Sequence, residues 1–401
     1  MNPNSASHTA AVLQELPPHR AGDQSIVRLA SSRTFVRGDV RVAALYEAMT
    51  ADRSIQAVGV VNADDSLLGV IVRRDFLATM ARPYAQDVLR NHPVTEVTTA
   101  ARRFPGDSNT FTVSEEIADD MGRHSVTYYL LTWSGDRFAG VFSSQDMLMY
   151  LSSITQNDID MARRLQARIV RTREISVGER LELVASSHTA KGVGGDFYKV
   201  IQYERGRWLV ALCDVSGKGV AASIITSVLW GMMSIYDFRN GMLPFIRQVN
   251  SYLVRTFETE KFVTAVFLDY DEATGEVSVC DLGHSHLFLF RQGQMRTIRT
   301  NQNNLPLGIS PDLDPRTDTF RPRPSDLLFV ITDGLIEQAN LEGEEYSLSR
   351  IAALFGGHQS APVETISDRL LEDFNRFRGR RPLGDDVTWA LMRFARQTVI
   401  L

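Results

Sequence analysis

The sequence predicts an α+β protein with two folded regions, and three observations carry that prediction. The second half contains alternating or continuously apolar runs at 262–269, 277–281 and 287–290, the pattern of strands in antiparallel sheets. The first half contains a strand–turn–strand–helix pattern twice. Between the halves, residues 157–173 (NDIDMARRLQARIVRTR) have helical periodicity and no proline or glycine. A length of 401 residues also exceeds what one core ordinarily supports.

Composition narrows the function classes. The chain is 44% hydrophobic and 23% charged with a net charge of −5, so nothing electrostatic calls for nucleic acid or an anionic membrane as a partner. Cys213 and Cys280 sit in apolar runs and read as small buried hydrophobes in a reducing compartment. No stretch approaches the roughly 20 apolar residues a membrane helix needs. Residues 1–22 lack the charged-then-apolar layout of a signal peptide. A cytoplasmic protein with a mobile leader at 1–25 is the expectation.

In the first half, runs at 58–61 and 67–72 flank a turn at 62–66, and a helix is expected near Asp75. Runs at 128–133 and 138–142 flank a second turn at 134–137, with a helix expected near Asp146. Gly69-Val70-Ile71 with Asp75 stands 71 residues before Gly140-Val141-Phe142 with Asp146, which implies two similar packed halves. The motif G-V-[IF]-x-x-x-D at 69–75 and 140–146 resembles that of tandem cystathionine-β-synthase-type (CBS) regulatory modules, over roughly residues 26–150. That resemblance implies a ribose-contacting pair, Ser143 with Asp146, for an adenine nucleotide. Asp75 is the equivalent acid of the first copy, where Val72 replaces the hydroxyl. Simple helix capping accounts for the same aspartates.

In the 157–173 helix, Met161, Leu165 and Ile169 fall four apart and make one narrow apolar stripe. Such a stripe suits pairing with the same helix of a second chain, or packing on its own domain. Asp158 and Asp160 lie early and the arginines late, matching the helix dipole.

The chemistry concentrates in the second half. Asp196 (GVGGDFYKV), Asp214 (ALCDVSGKGVAAS), Asp333 (LLFVITDGLIE) and the pair Asp385-Asp386 (PLGDDVTWALM) each border an apolar strand-like segment. Carboxylates at strand ends can converge at a sheet edge, where their mutual repulsion requires counter-charge. Hard divalent cations supply it, and Mg²⁺ or Mn²⁺ suits carboxylate-plus-water sites. Two such ions about 4 Å apart polarise a phosphoryl group and activate water. Gly194, Gly195, Gly217 and Gly219 let the backbone pass close by.

Together these blocks resemble the bacterial branch of the metal-dependent PP2C (PPM) protein phosphatases, the group of SpoIIE and the RsbU-type regulators. The resemblance rests on GGDFY at 194–198, DVSGKG at 214–219, FVTA at 262–265, GH at 283–284, LPLG at 305–308, TDGL-x-E at 332–337 and GDDVT at 384–388, and covers most of 179–395. It implies an α-β-β-α sandwich of two antiparallel sheets, preceded by an α/β CBS-pair-like domain and a linker helix. The expected division is a leader at 1–25, a regulatory domain at 26–150, a linker helix at 151–178, a phosphatase domain at 179–396 and a tail at 397–401. By the resemblance, Asp214 bridges the ions, the Val215 carbonyl and Asp196 serve the second ion, and Asp333 and Asp385 complete the first. Asp386 is the alternate or supporting residue. Where many relatives carry Leu-Leu-Pro after the linker, this chain has Arg168-Ile169-Val170-Arg171.

The activity implied is direct attack of metal-activated water on phosphoserine or phosphothreonine, with an anti-sigma-factor antagonist as the type of substrate; the expectation of a homodimer comes from the stripe of the 157–173 helix instead. Lys218 and His284 are candidates for guiding the substrate; solvation is the favoured reading of Lys218, and nothing in the sequence requires His284 as a ligand. Two other classes compete. One is a catalytically inactive phosphoprotein-binding scaffold. The other is a nucleotide cyclase or phosphodiesterase, suggested by GGDFY, although Phe197-Tyr198 breaks the GG[DE]EF ending. The SGKG at 216–219 is not a phosphate loop, because the leading glycine and the final Ser or Thr are missing.

Overall fold

Strand-forming and helix-forming segments alternate along the chain, and the computed structural model assembles them into two units, Met1–Gln156 and Asn157–Leu401. It describes residues 12–395 apart from 19–21, 23, 124, 191, 301 and 302. The expected tail at 397–401 and much of the leader lie outside the described residues. Within the leader, Gln14–Glu15 pairs as a short strand with Thr34–Arg37.

The N-terminal unit realises the internal repeat. Thr34–Arg37 runs parallel to Ala57–Val61, which forms a hairpin with Leu67–Val72. Arg103–Pro105 runs parallel to Tyr128–Trp133, which forms a hairpin with Arg137–Ser143. The likeness extends to the irregularities: Val60 opposes Gly69 and Leu131 opposes Gly140, each followed at once by a register shift. Each repeat also leans on the lead-in of the other, through bridges Val70–Thr99 and Ser32–Val141. A Cβ on Gly69 would lie 2.5 Å from the Thr99 carbonyl oxygen, so this strand needs glycine there.

The two repeats end differently. Ser143 and Asp146 form a reciprocal capping box: Asp146 Oδ2 accepts from Ser143 N at 2.7 Å, and Ser143 Oγ accepts from Asp146 N at 3.2 Å. Ser31 Oγ donates to the same Asp146 oxygen at 2.7 Å. In the first repeat the helix Arg73–Met80 starts two residues before Asp75, with Val72 at the cap position and no side-chain cap. Val72 has no hydroxyl to close the box, so Asp75 lies exposed in the first turn beside Arg74.

The expected linker helix belongs to a longer one, Ser144–Ile169. The strand Arg173–Val177, which the sequence reading placed in the linker, pairs with Leu181–His188 at the edge of a sheet in the C-terminal unit. A five-residue alternation on an edge carries too little apolar signal to separate it from a helix end.

The C-terminal unit is a four-layer sandwich. One antiparallel sheet orders Phe197–Glu204, Arg207–Val215, Val263–Asp271, Glu276–Leu282 and Asp318–Phe320. The other orders Gln294–Thr297, Leu287–Arg291, Leu327–Ile331, Val387–Phe394, Leu181–His188 and Arg173–Val177. Period-2 alternation decides which core each side chain enters. Trp208, Val210 and Leu212 point between the sheets, against Leu328, Val330 and Met392. Leu209, Ala211 and Cys213 point outward, beneath the helices Val220–Ile235 and Met242–Phe257. Val184, Phe329, Trp389 and Leu391 pack under Leu348–His358 and Val363–Arg378 on the opposite side. Both faces of both sheets are therefore apolar, and each fully buried Val, Leu or Phe contributes about 1.5–3 kcal/mol. Among the described residues no helix is long and apolar enough to cross a membrane.

Candidate metal centre

Two antiparallel strand pairs, one from each sheet of the sandwich, bring the acidic residues together. In the first sheet Phe197 is paired with Cys213, so the next step of the ladder sets Asp196 against Asp214. In the second, Ile331 is paired with Trp389 and Thr332 N donates to Thr388 O at 2.9 Å, which brings Asp333 to the start of the strand that follows Asp385-Asp386. Strand ends thus supply all five carboxylates.

Glycines allow the close approach. A Cβ on Gly194 would fall 2.3 Å from Asp386 Oδ2, one on Gly195 2.8 Å from the Val215 carbonyl oxygen, and one on Gly334 2.0 Å from the Asp386 carbonyl oxygen. The GGD and TDG motifs are therefore packing requirements of this corner.

The adjacent aspartates have separate tasks. Asp386 is buried, its Oδ1 accepting from Ala190 N and its Oδ2 from Gly195 N, both at 2.8 Å. It fastens the GGD loop. Asp385 is half-exposed; its Oδ1 accepts from Asp386 N at 2.9 Å and its Oδ2 meets Lys218 Nζ at 2.7 Å. Asp196 is 4% exposed, and its Oδ2 has no hydrogen-bond partner.

Electrostatics reflect this crowding. Burial, and then the charge of Asp214, pushes the Asp196 carboxyl well above the usual carboxylate range. Burial, and then the charge of Asp333, pushes Asp214 up to about 6. Burial also raises Asp386, opposed by its backbone N–H donors. A buried carboxylate oxygen without a partner, beside like charges, fits a divalent cation. Among the described residues, however, no three His, Cys, Asp or Glu side chains converge closely enough to hold one ion. Asp385, turned onto Lys218, is the acid drawn to a different partner.

Two residues that motif reading did not reach hold the GGD loop from other sides. Gln166 is 5% exposed; its Nε2 donates to Gly194 O at 2.7 Å and its Oε1 accepts from Gly194 N at 2.9 Å. Thr226 Oγ1 donates to Gly195 O at 2.9 Å. A cavity of about 410 Å³ adjoins the loop, bordered by Arg163, Gln166, His188, Gly192, Asp196 and Leu383.

His284 lies in the interior, 4% exposed, with Nε2 2.7 Å from the Ile331 carbonyl oxygen. Burial pushes its pKa down to about 4, so the neutral ring anchors the strand leading to Asp333. That position suits an anchor better than a guide for substrate. Lys218 is half-exposed at the site's rim. Ser143, Asp146 and Asp75 belong to the N-terminal unit.

Comparison with known proteins agrees with this architecture. Residues 204–395 match the family model described as Stage II sporulation protein E (SpoIIE). The chain is 22% identical over 277 residues to phosphoserine phosphatase RsbU of Bacillus subtilis (strain 168), covering 67% of this chain and 79% of that protein. It is 25% identical over 217 residues to the Stage II sporulation protein E of Priestia megaterium, covering 53% of this chain and 36% of that one. Among solved structures, the SiaA-PP2C domain of Pseudomonas aeruginosa superposes with a TM-score of 0.50 at 16% identity, covering 61% of this chain and 98% of that domain. The C-terminal unit therefore has the PP2C-type fold. In sequence it is related to the SpoIIE, RsbU and RsbP branch. The family match lies wholly within the C-terminal unit and leaves the CBS assignment of 26–150 without support.

Proposed function

We propose that this protein is a metal-dependent protein serine/threonine phosphatase. The observation that carries the reading is the partnerless, buried Asp196 Oδ2 beside Asp214, at a corner where strand ends from both sheets deliver carboxylates. Asp196, Asp214, the Val215 carbonyl, Asp333 and Asp385 would hold two Mn²⁺ or Mg²⁺ ions, with Asp386 and Gln166 keeping the GGD loop in place. When bound, such ions polarise a phosphoryl group and lower the pKa of water enough to make it a nucleophile at neutral pH. Cys213 and His284 are buried, so neither is placed to form a phosphoenzyme, and direct attack by water on phosphoserine or phosphothreonine is the favoured route.

The substrate is proposed to be a phosphorylated signalling protein of the anti-sigma-factor-antagonist type, by analogy with the branch to which the sequence is related. Met161 and Leu165 are 58% and 50% exposed, which supports a homodimer formed through this stripe. The free, buried Cys213 and Cys280 suit a cytoplasmic location. The N-terminal unit is proposed to regulate the activity. If it takes a nucleotide, the Asp75 side is favoured: a cavity of about 290 Å³ there is bordered by Asp75, Glu96, Thr98 and Thr99, groups that suit ribose hydroxyls. The carboxylate of Asp146 is already engaged by Ser143 and Ser31.

A catalytically inactive phosphoprotein-binding scaffold is the second reading, favoured by the lack of three converging ligands among the described residues. Phosphate release by the full chain from phosphoserine and phosphothreonine proteins, with Mn²⁺ or Mg²⁺, separates the two. Metal-dependent release lost in Asp214→Asn supports the enzyme. Binding of the phosphoprotein without release supports the scaffold.

A further inference from the structure

The ammonium of Lys218 stands where the carboxylate corner needs counter-charge. Its Nζ is 2.7 Å from Asp385 Oδ2 and 3.2 Å from the Gly384 carbonyl oxygen. Both oxygens of Asp385 are thereby engaged, Oδ1 by Asp386 N and Oδ2 by Lys218. Asp196 Oδ2 meanwhile lies buried without a hydrogen-bond partner.

The loop that carries Lys218 is fixed at its base by backbone and side-chain hydrogen bonds and tied at its tip through the Lys218 ammonium. Ser216 exchanges hydrogen bonds with Phe262: its N donates to Phe262 O at 2.9 Å, and its Oγ accepts from Phe262 N at 3.0 Å. Lys218 itself stands between Gly217 (φ +91°) and Gly219 (φ +82°), both in the left-handed region that favours glycine. A Cβ on Gly219 would meet nothing within 4 Å, so this end of the loop is not packed against a neighbour.

We propose that Lys218 is a built-in competitor for the divalent cation: it holds Asp385 in the metal-free protein, gives that carboxylate up when the ion is bound, and then presents its ammonium to the substrate's phosphate. A single flexible cation would thus link occupation of the metal site to readiness for a phosphoprotein. The inference rests on the phosphatase reading and adds an order of events to it.

The test measures metal binding rather than turnover. Mn²⁺ affinity of the full chain is determined by titration calorimetry and by the EPR signal of free Mn²⁺, for wild type, Lys218→Met, Asp385→Asn and the double variant. A half-exposed ion pair of this kind is weak, so Lys218→Met is expected to tighten Mn²⁺ binding by about two- to fivefold. The tightening should vanish in the Asp385→Asn background. In turnover, the same variant should raise KM for a phosphoprotein. Unchanged or weaker Mn²⁺ binding by a normally folded Lys218→Met protein overturns the inference while leaving the phosphatase reading intact. So does an equal effect of Lys218→Met in both backgrounds. No Mn²⁺ binding by the wild type overturns both.

Discussion

Gln166 closes two hydrogen bonds on the backbone of Gly194, one through each end of its amide. It is the buried position on a stretch of helix whose apolar residues, Met161 and Leu165, face outward. The polar side chain is therefore the packed one, and what it packs against is the loop that carries Asp196. Gln166→Leu keeps similar bulk but strands the buried Gly194 N–H and leaves its carbonyl with only the longer Thr226 contact, so a stability loss of about 1–3 kcal/mol is expected. Urea unfolding of the metal-free protein checks this. The metal concentration needed for half-maximal activity should rise as well, because the loop that aims Asp196 loses one of its fastenings.

Asp385 and Asp386 are chemically identical neighbours with different expected phenotypes. Asp386→Asn removes a charged acceptor from two backbone N–H donors, for which an expected cost of about 1–3 kcal/mol follows. Asp385→Asn breaks only a half-exposed ion pair, worth about 0–1 kcal/mol. It should nevertheless abolish metal-dependent phosphate release. Thermal unfolding and phosphate assays on the two proteins, side by side, check the division of labour.

Asp214 makes the metal-free protein respond to pH. Its pKa is raised by burial and by Asp333 to about 6, above the unfolded value of 3.8. The folded state therefore binds the proton more tightly than the unfolded state. The stabilisation this yields is fully present below pH 3.8 and is lost as pH rises through about 6. Metal binding has the opposite dependence, since the ion must displace that proton. Mn²⁺ affinity should rise between pH 5 and pH 7, a window about one unit either side of that pKa. Asp214→Asn should flatten the stability profile over the same window. Denaturant midpoints and Mn²⁺ titrations across this range check both signs.

Much of the centre was legible because its residues lie in short runs with local signatures. GGD, TDG and GDD announce themselves as acids beside glycines at the ends of apolar segments, and Gly194, Gly195 and Gly334 prove to be ones that a Cβ would disturb, whereas Gly384 is not. The two adjacent aspartates could be separated only by seeing which oxygens meet backbone N–H groups. Gln166 and Thr226 were not legible: a single polar residue on a helix gives no sign of the loop it touches when that loop is 28 or 31 residues away. The setting of His284 was hidden for a related reason, because nothing in GHSH says that its ring turns inward onto Ile331. In the first half the repeat and a helix start near Asp75 were both visible, the helix beginning at Arg73. That start has Val72 at the cap position and no capping side chain.

The glycines also give predictions of opposite sign. A Cβ at Gly334 would lie 2.0 Å from the Asp386 carbonyl oxygen and 3.1 Å from Asp385 Cβ, so backbone must shift to admit it. Gly334→Ala is expected to cost about 1–3 kcal/mol, as overpacking usually does, and to push the TDG and GDD loops apart with loss of activity. Gly231 sits in the helix Val220–Ile235, with nothing within 4 Å of where its Cβ would be. Alanine there removes only the entropic penalty of glycine, so Gly231→Ala is expected to stabilise by about 0.5–1 kcal/mol and leave activity unchanged. Denaturant midpoints of the two variants, measured with phosphate release, test both. Equal destabilisation would mean that the helix approaches a neighbour at Gly231 more closely than the structure has it. Tolerance at Gly334 would mean that Asp385 and Asp386 are not held against the TDG turn.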